Sequence, residues 1–220
     1  QQKVIWNREK ERTYLAVRHA DGAIVALGDP ELPDVDVPDN ARVTVATSDV
    51  PYLRESTWTG GASDLYLVDL ESGERPLFAR RAQSGPDLSP DGRYVVWWAD
   101  AAWHLRDTRS GSERLLGTDL EVPFADEDHD YPSPVPGYGV AGWMADDEAV
   151  LIYDKYDIWV FPTSGDAAPW RLTDGRGRAE SRIFRLVDLD GPVEPGDELL
   201  LSSYHDLRKN FGFYRAIAGR

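Results

Sequence analysis

Short apolar runs separated by polar turns dominate this sequence, and the segment 137–173 shows the pattern most completely. The apolar runs Ala149–Tyr153 and Ile158–Phe161 are separated by the polar break DKYD. A second turn follows at Thr163–Asp166, and the segment closes with Trp170-Arg171-Leu172-Thr173. Short runs rich in Val, Ile, Tyr and Trp, divided by Gly, Pro, Asp and Ser, are typical of antiparallel strands joined by tight turns. The segment therefore predicts a four-stranded meander.

The same order of runs and turns recurs upstream, from Ser89 to Thr118. There the turn Asp91-Gly92 leads into an apolar run at 94–98, and a second run follows at 103–105. The turn Ser110-Gly111 then precedes Arg114-Leu115-Leu116. Each element has a counterpart in 137–173, which identifies a repeated structural unit.

Three further segments repeat part of this plan. Near the start, a turn-forming Asp21-Gly22 lies between two apolar runs, as in a β-hairpin. The other two partial copies each have two apolar runs, at 43–47 and 64–69, and at 198–204 and 212–216. With the two complete copies, five units share one layout.

These repeats predict an all-β chain that forms a β-propeller of about five four-stranded antiparallel blades. The approximate blades are 1–40, 41–80, 81–125, 137–175 and 180–220, within a single domain over 1–220. Repeats of roughly 40 residues with four strands each are typical of this fold. A closed ring of five blades and an arc of a larger ring fit the sequence equally. The arc would leave exposed edge strands and apolar blade faces.

Three segments fit the repeat less simply. The stretches 28–40 and 118–137 are rich in acids and prolines, and we expect them to be loop insertions. The segment Arg178–Leu189 comes nearest to helical periodicity, but its apolar residues suit a strand at least as well.

The charge of the chain excludes some partners. The 220 residues include 39 acids against 24 Lys and Arg, so the net charge is -15 and the pI is about 4.6. Such a field repels nucleic acid and anionic lipid, and we expect neither as a partner. No apolar run approaches the ~18 residues that a membrane-spanning helix needs. The chain opens with Gln1-Gln2, without Met or an apolar signal core, which predicts either a removed leader or an excised piece.

Motifs of familiar catalytic chemistry are absent from the sequence. It has no cysteine, so it offers no thiolate nucleophile, disulfide or Cys-based zinc site. It also has no Gly-x-Ser-x-Gly nucleophile elbow, His-Glu-x-x-His motif or glycine-rich phosphate loop. The four histidines are expected to have surface or packing roles; they are His19, His104, His129 and His205. We therefore assign no catalytic residue and no cofactor.

Two groups of aspartates are candidates for ligand binding. Asp126, Asp128 and Asp130 form a dense group of hard oxygen ligands that could turn toward a calcium ion, although a solvated acidic loop fits better because the EF-hand pattern is not met. Asp154 and Asp157 flank a tyrosine between two strands and could face a ligand. Residues in such turns more often accept hydrogen bonds from the turn backbone.

Five of the eight tryptophans fall in or beside strands of the two complete units, where we expect them to pack between blades. They are Trp98, Trp103, Trp143, Trp159 and Trp170. Five-bladed glycosidases also use propellers, with two carboxylates around a central funnel. With 39 acids, the sequence does not exclude such a pair of catalytic carboxylates, but no spacing singles one out.

The chain resembles the propeller part of bacterial secreted serine peptidases of the prolyl oligopeptidase family. The most specific residues of this resemblance run from Gly142-Trp143 through Leu151–Tyr153 to Ile158-Trp159. The segment DLYLVDLESGER from Asp64 and the turn at Ser89 are shared with many Tol-type and WD-like propellers. The final run from Phe211 resembles a last-blade segment of the same family.

This resemblance implies a non-catalytic domain that caps an α/β-hydrolase domain and gates the entry of short peptides. The hydrolase domain is not in this chain, so no catalytic residue is carried over, and the double-glutamate motif of the dipeptidyl-peptidase branch is not found. The implied partners are the hydrolase domain and a peptide substrate, with a homodimer if the ring is incomplete. The implied location is periplasmic or extracellular. A stand-alone peptide- or protein-binding propeller and, as a minor alternative, a five-bladed propeller glycosidase remain open.

Overall fold

The computed structural model describes residues 11–56 and 60–219, in which the strands form five separate antiparallel sheets. We name these sheets blades 1 to 5 in chain order. Blade 1 is the hairpin β1 (Ala16–Arg18) and β2 (Ile24–Ala26). Blade 2 contains β3 (Asp34–Val35), β4 (Val43–Ser48), β5 (Ser63–Asp69) and β6 (Leu77–Ala82).

Blades 3 and 4 are the two units that are most complete in the sequence. Blade 3 contains β7 (Asp87–Leu88), β8 (Tyr94–Ala99), β9 (Ala102–Asp107) and β10 (Glu113–Leu116). Blade 4 contains β11 (Val140–Trp143), β12 (Ala149–Tyr153), β13 (Ile158–Pro162) and β14 (Trp170–Arg171). Blade 5 contains β15 (Arg182–Leu186), β16 (Glu198–His205) and β17 (Asn210–Ile217), and the short helix α1 (Arg176–Glu180) precedes it.

In every blade the strands follow one another in chain order, so each sheet is a meander. Four-stranded meanders repeated along the chain are the blades of a β-propeller, and the predicted fold class is confirmed. The predicted unit boundaries stay approximate. Blade 2 begins at β3, before residue 41, and β6 continues to Ala82.

One of the three expectations about irregular segments is corrected by the strand pairing. The acidic stretch 28–40 is not all loop, because Asp34 and Val35 pair with Thr47 and Ala46 as the first strand of blade 2. The stretch 118–137 holds no named strand, but an isolated bridge joins Ala125 to Gly137. In 178–189 the strand interpretation is confirmed over β15, while the start of this segment belongs to α1.

The apolar core is divided into clusters that lie between successive blades. The cluster between blades 3 and 4 contains the buried Trp98, Trp103, Trp143 and Trp159, and Trp170 packs against the cluster between blades 4 and 5. The predicted packing role of these five tryptophans is confirmed. Because β8 is covered on both faces, it is buried at every position.

A buried aspartate links blade 3 to blade 4. The carboxylate of Asp147, which follows β11, accepts hydrogen bonds from the Ser89 hydroxyl at 2.5 Å and from the backbone N–H groups of Asp91 and Arg93, each at 3.1 Å. The Ser89 hydroxyl in turn accepts the Tyr94 N–H at 2.9 Å. The Ser-Pro-Asp-Gly turn of one blade is therefore held by the next blade.

Within 11–56 and 60–219, blades 1 and 5 do not close a ring. Among the described residues no strand pairing joins β1 or β2 to blade 5. Phe211 and Phe213 of β17 are 81% and 72% exposed, and Ile24 of β2 is 71% exposed. In a closed ring these side chains would be covered by the neighbouring blade. Of the two predicted arrangements, this part of the chain therefore has the arc. The described residues contain no helix long and apolar enough to cross a membrane.

Candidate functional site

The first strands of successive blades converge on one cavity of about 470 Å³, which we call the central cleft. Its wall comes from the segment after β3, from β7, from β11 and from the connection between β15 and β16. In a propeller the first strand of each blade faces the central axis. The cleft therefore corresponds to the funnel of the fold. Among the described residues that line it, three are acids and none is Lys or Arg; the acids are Asp36, Asp39 and Asp87.

Two of the acids that line the cleft, Asp36 and Asp87, have raised pKa values, and Asp87 is the more buried of the two. Burial raises the pKa of the Asp87 carboxyl, a hydrogen bond from Trp143 opposes this shift, and the negative charge of Asp36 adds to it. The Trp143 indole N–H donates to Oδ1 of Asp87 at 2.5 Å. Because Trp143 is buried between blades 3 and 4, it holds the carboxylate in a fixed orientation at the wall of the cleft.

Asp36 lies at the solvent-facing rim of the cleft. Partial desolvation raises the pKa of its carboxyl, and the nearby Asp34 carboxylate raises it further. The backbone at this point is fixed, because the Asp36 N–H donates to the Val45 carbonyl at 3.0 Å and its own carbonyl accepts the Thr44 hydroxyl at 2.8 Å. Two carboxylates with raised pKa values are thus held at the wall and rim of one cleft.

The connection between β15 and β16 crosses into the cleft and covers the edge of β11. The Val193 N–H donates to the Trp143 carbonyl at 2.8 Å, and the Ala145 N–H donates to the Val193 carbonyl at 2.9 Å. Leu189 lies over Gly142, where a Cβ atom would come within 2.7 Å of the leucine side chain. Gly142 also has a φ of 147°, which favours glycine. This crossing narrows the cleft on the side of blade 5.

Asp36 and Asp87 have no Lys or Arg beside them in the described lining of the cleft, so their carboxylates attract cations. Their raised pKa values show that the protein does not stabilise the ionised forms fully. A cationic ligand group would supply the missing charge, and the prolines and Leu88 beside the acids provide apolar contact. The cleft is therefore suited to a small ligand with a cationic amine and an apolar part.

The carboxylates that the sequence singled out as possible metal ligands form other contacts. Asp128 forms an ion pair with Lys155 at 2.7 Å, and its own backbone N–H donates to the Asp126 carboxylate at 3.0 Å. Asp130 is exposed. Glu127, which lies between Asp126 and Asp128 in the sequence, forms an ion pair with Arg178 at 2.7 Å. Within 11–56 and 60–219, no three such side chains are grouped to hold a metal ion.

Asp154 and Asp157 hold a turn. Asp154 accepts the backbone N–H groups of Tyr156 and Asp157 at 2.6 and 2.7 Å, together with the Trp159 indole N–H at 2.9 Å. Asp157 accepts the Thr173 hydroxyl at 2.6 Å and the N–H groups that begin α1. Both aspartates are fully buried. The backbone-binding interpretation is confirmed.

The four histidines lie apart from the central cleft. His104 stacks on Trp97 with ring centroids 5.0 Å apart, and His129 contacts the Ser133 carbonyl at 3.0 Å. His205 is buried, and its Nδ1 accepts the Arg208 N–H at 3.4 Å. His19 lies in the turn between β1 and β2. These positions agree with the packing roles expected from the sequence.

Sequence reasoning missed Asp36 and Asp87 as a pair. The sequence contained a signal for the strand beside Asp36, because Asp34-Val35-Asp36-Val37 alternates polar and apolar residues as a half-buried strand does. The surrounding prolines and acids favoured a loop instead. The two aspartates are also about 50 residues apart, and only the convergence of β3 and β7 on the axis brings them together.

No protein-family model and no curated protein matches the sequence. Several solved structures are similar in fold. Dipeptidyl peptidase 4 from Porphyromonas gingivalis aligns with a TM-score of 0.52 and 15% identity, over 94% of this chain and 35% of that chain. A TolB protein from Agrobacterium tumefaciens aligns with a TM-score of 0.47 and 16% identity, over 94% of this chain and 76% of that chain.

The third similar structure is the β-propeller domain of the Trilobed protease from Pyrococcus furiosus, with a TM-score of 0.49 and 13% identity, over 85% of this chain and 55% of that chain. The chain thus spans about a third of the dipeptidyl peptidase and about half of the protease propeller. At these identities, the alignment with the dipeptidyl peptidase supports the propeller fold alone.

Proposed function

We propose that this chain is a non-catalytic propeller domain that caps a serine-peptidase domain of the prolyl oligopeptidase type and gates the access of peptides to it. The acidic central cleft carries this proposal, because the carboxylates of Asp36 and Asp87 line a space of peptide size. The resemblance around Trp143 and the peptidases among the similar folds are consistent with it. The catalytic residues would come from the partner α/β-hydrolase domain.

The cleft would sort substrates by size and charge. A cavity of about 470 Å³ admits a few residues of an extended chain and excludes a folded protein. A free peptide amino terminus is cationic near neutral pH and would pair with the carboxylates, whereas an acetylated terminus would not. A peptidase of this kind acts on peptides outside the cytoplasm, so we propose a periplasmic or extracellular location.

The test measures peptide binding to the pure chain by isothermal titration calorimetry. A short peptide with a free amino terminus and its N-acetylated copy are compared on the wild type and on an Asp36→Asn/Asp87→Asn double variant. We expect the double variant to bind the free-amine peptide about tenfold more weakly or worse, with little change for the acetylated copy. Asp119→Asn/Asp166→Asn removes the same two charges from exposed positions and is the matched control.

Two results would contradict the proposal. Equal affinity of the wild type for both peptides would remove the role of the carboxylates. Hydrolysis of a peptidyl p-nitroanilide by the pure chain, surviving repeated purification, would show that the chain is itself catalytic. A native gene product that carries no hydrolase domain would favour the stand-alone peptide-binding propeller.

The same carboxylate pair favours a second candidate, a propeller glycosidase. Glycosidases need one carboxyl group that stays protonated as the acid and a second carboxylate beside the bond that breaks. Asp87, whose pKa is raised by burial, would be the acid, and Asp36 would be the second group. Release of nitrophenol from a panel of chromogenic glycosides, lost in Asp87→Asn, would establish this activity in place of peptide gating.

A further inference from the structure

The open edge of β17 borders a groove of about 800 Å³ that the proposed function does not use. Five residues of this region line the groove, four of them consecutive; they are Tyr214, Arg215, Ala216, Ile217 and Gly219. Because side chains alternate between faces in a strand, consecutive lining residues mean that the groove runs along the strand edge. Its opposite wall is formed by β14 and the start of α1.

This groove lies beside the edge of β17 that has no described partner strand. In blades 2, 3 and 4 a fourth strand pairs with the third, whereas the second edge of β17 is unpaired among the described residues. β17 is eight residues long. An unpaired edge of this length presents a row of N–H and C=O groups that an extended chain can bind by strand addition.

The groove is cationic in a strongly acidic protein. Arg171, Arg176 and Arg215 line it, with Asp174 as its single acid among the described residues. Arg176 pairs with Glu180 at 3.1 Å and Arg215 with Glu198 at 3.2 Å, and all four of these side chains are more than 40% exposed. Such exposed pairs are weak, and their arginines can exchange partners.

Arg171 has no carboxylate partner among the described residues. Its guanidinium lies 5.0 Å from the centre of the Trp159 ring, and Gly175 leaves room beside it. The indole therefore holds Arg171 in place without neutralising its charge. A fixed and unneutralised guanidinium beside an open strand edge favours a ligand that brings carboxylates.

We propose that this groove binds an extended acidic segment of another polypeptide, which adds to β17 as the fourth strand of blade 5. Backbone hydrogen bonds to β17 supply one part of the recognition. Carboxylates of the segment that pair with Arg171 and its two neighbours supply the other. The groove borders the last strands of blades 4 and 5, whereas the central cleft borders the first strands, so the two sites are independent.

Fluorescence anisotropy of labelled peptides tests this proposal on the whole chain. The probe is an eight-residue peptide that alternates glutamate with valine, and the matched probe has lysine in place of each glutamate. We expect the acidic probe to bind and the basic probe not to bind, with affinity falling as salt is raised. Methylation of the backbone amides of the acidic probe should abolish binding, because it removes the strand hydrogen bonds.

Two variants locate the site. Arg171→Gln should lower the affinity for the acidic probe about tenfold, since it removes one charge-assisted contact. Arg109→Gln removes the same charge from an exposed turn of blade 3 and should leave the affinity unchanged. Equal binding of both probes, equal effects of both variants or binding of the methylated probe would overturn the proposal. A dimer that persists at saturating probe and is lost in Arg171→Gln would assign the groove to a second copy and overturn it also.

Discussion

At the scale of single residues, two groups of aspartates differ in how their negative charge is compensated. Asp64, Asp147, Asp154 and Asp157 are 2% exposed or less and are surrounded by donors. Asp64, for example, accepts the Tyr52 hydroxyl and pairs with Arg80 at 3.1 Å. Ionised carboxylates tolerate burial when several donors replace water. Asp36 and Asp87 lack this compensation, which is why they are candidates for ligand binding.

Replacing Asp147 should test how strongly one carboxylate joins two blades. An amide at this position loses acceptor capacity for the Ser89 hydroxyl and the Arg93 N–H, both of which would stay buried or half-buried. We expect Asp147→Asn to lower the free energy of unfolding by about 2–3 kcal/mol, measured by urea denaturation. Asp146→Asn, at the exposed neighbouring position, should change it by less than about 0.5 kcal/mol. Equal effects would show that this link is not a strong one.

Asp87 should make stability depend on pH. Burial raises the pKa of its carboxyl in the folded protein above the ordinary value of 3.8. Its contribution to stability is therefore fully present below that value and is lost as pH rises through the raised pKa. In Asp87→Asn this loss cannot occur, so the stability of the variant relative to the wild type should increase as pH rises from about 4 to about 7.

Urea unfolding at several pH values measures this difference, with Asp119→Asn as the control. An amide can still accept the Trp143 N–H, so the local structure should survive the change. A stability difference that stays constant across the pH range would contradict a raised pKa at Asp87.

At the scale of elements, the entry to blade 5 depends on a glycine in α1. A Cβ atom on Gly177 would lie 2.6 Å from the Tyr156 carbonyl oxygen and 2.7 Å from the Asp157 carboxylate. The Gly177 N–H also donates to Asp157 at 2.9 Å. The close approach of α1 to the turn of blade 4 therefore requires a residue without a side chain.

Gly177→Ala should displace α1 or the turn and lower the free energy of unfolding by about 1–3 kcal/mol. Gly85→Ala is the matched control, because a Cβ atom there meets nothing within 4 Å. Thermal and urea unfolding followed by tryptophan fluorescence compare the two variants. If Gly177→Ala unfolds like Gly85→Ala, the contact between α1 and the turn is not a tight one.

At the scale of the whole molecule, the arc leaves one sheet face uncovered. Leu200, Phe211, Phe213 and Ile217 of blade 5 are 45–81% exposed. Phe213 lies opposite Ser202, and Tyr204 lies opposite Phe211 with their rings 4.8 Å apart, so these residues share the outward face. A contiguous apolar face of this kind favours association with another surface.

We expect this face to produce a concentration-dependent homodimer in the pure chain. Light scattering at several protein concentrations measures it, and Phe213→Ser should shift the equilibrium toward monomer by about tenfold, because burying a phenylalanine contributes about 1.5–3 kcal/mol. Leu207→Ser, an exposed apolar position in the turn between β16 and β17, is the control. A wild type that stays monomeric throughout would contradict this expectation.

The sequence by itself determined the repeat, the strands and the fold class. The apolar runs that became β8, β12 and β13 are local signals, because strand formation and tight turns depend on neighbouring residues. The packing roles of Trp98 and Trp159 followed from the same positions. The sequence did not predict the short β3, because two strand residues among prolines and acids give little periodic signal.

Only the tertiary structure decided which distant residues meet. The cleft with Asp36 and Asp87, the carboxylate of Asp147 that links two blades and the groove beside β17 each join segments far apart in the chain. The choice between ring and arc was equally non-local. It depends on the small rotation between successive blades, which accumulates over the whole array and leaves no signature in any one repeat.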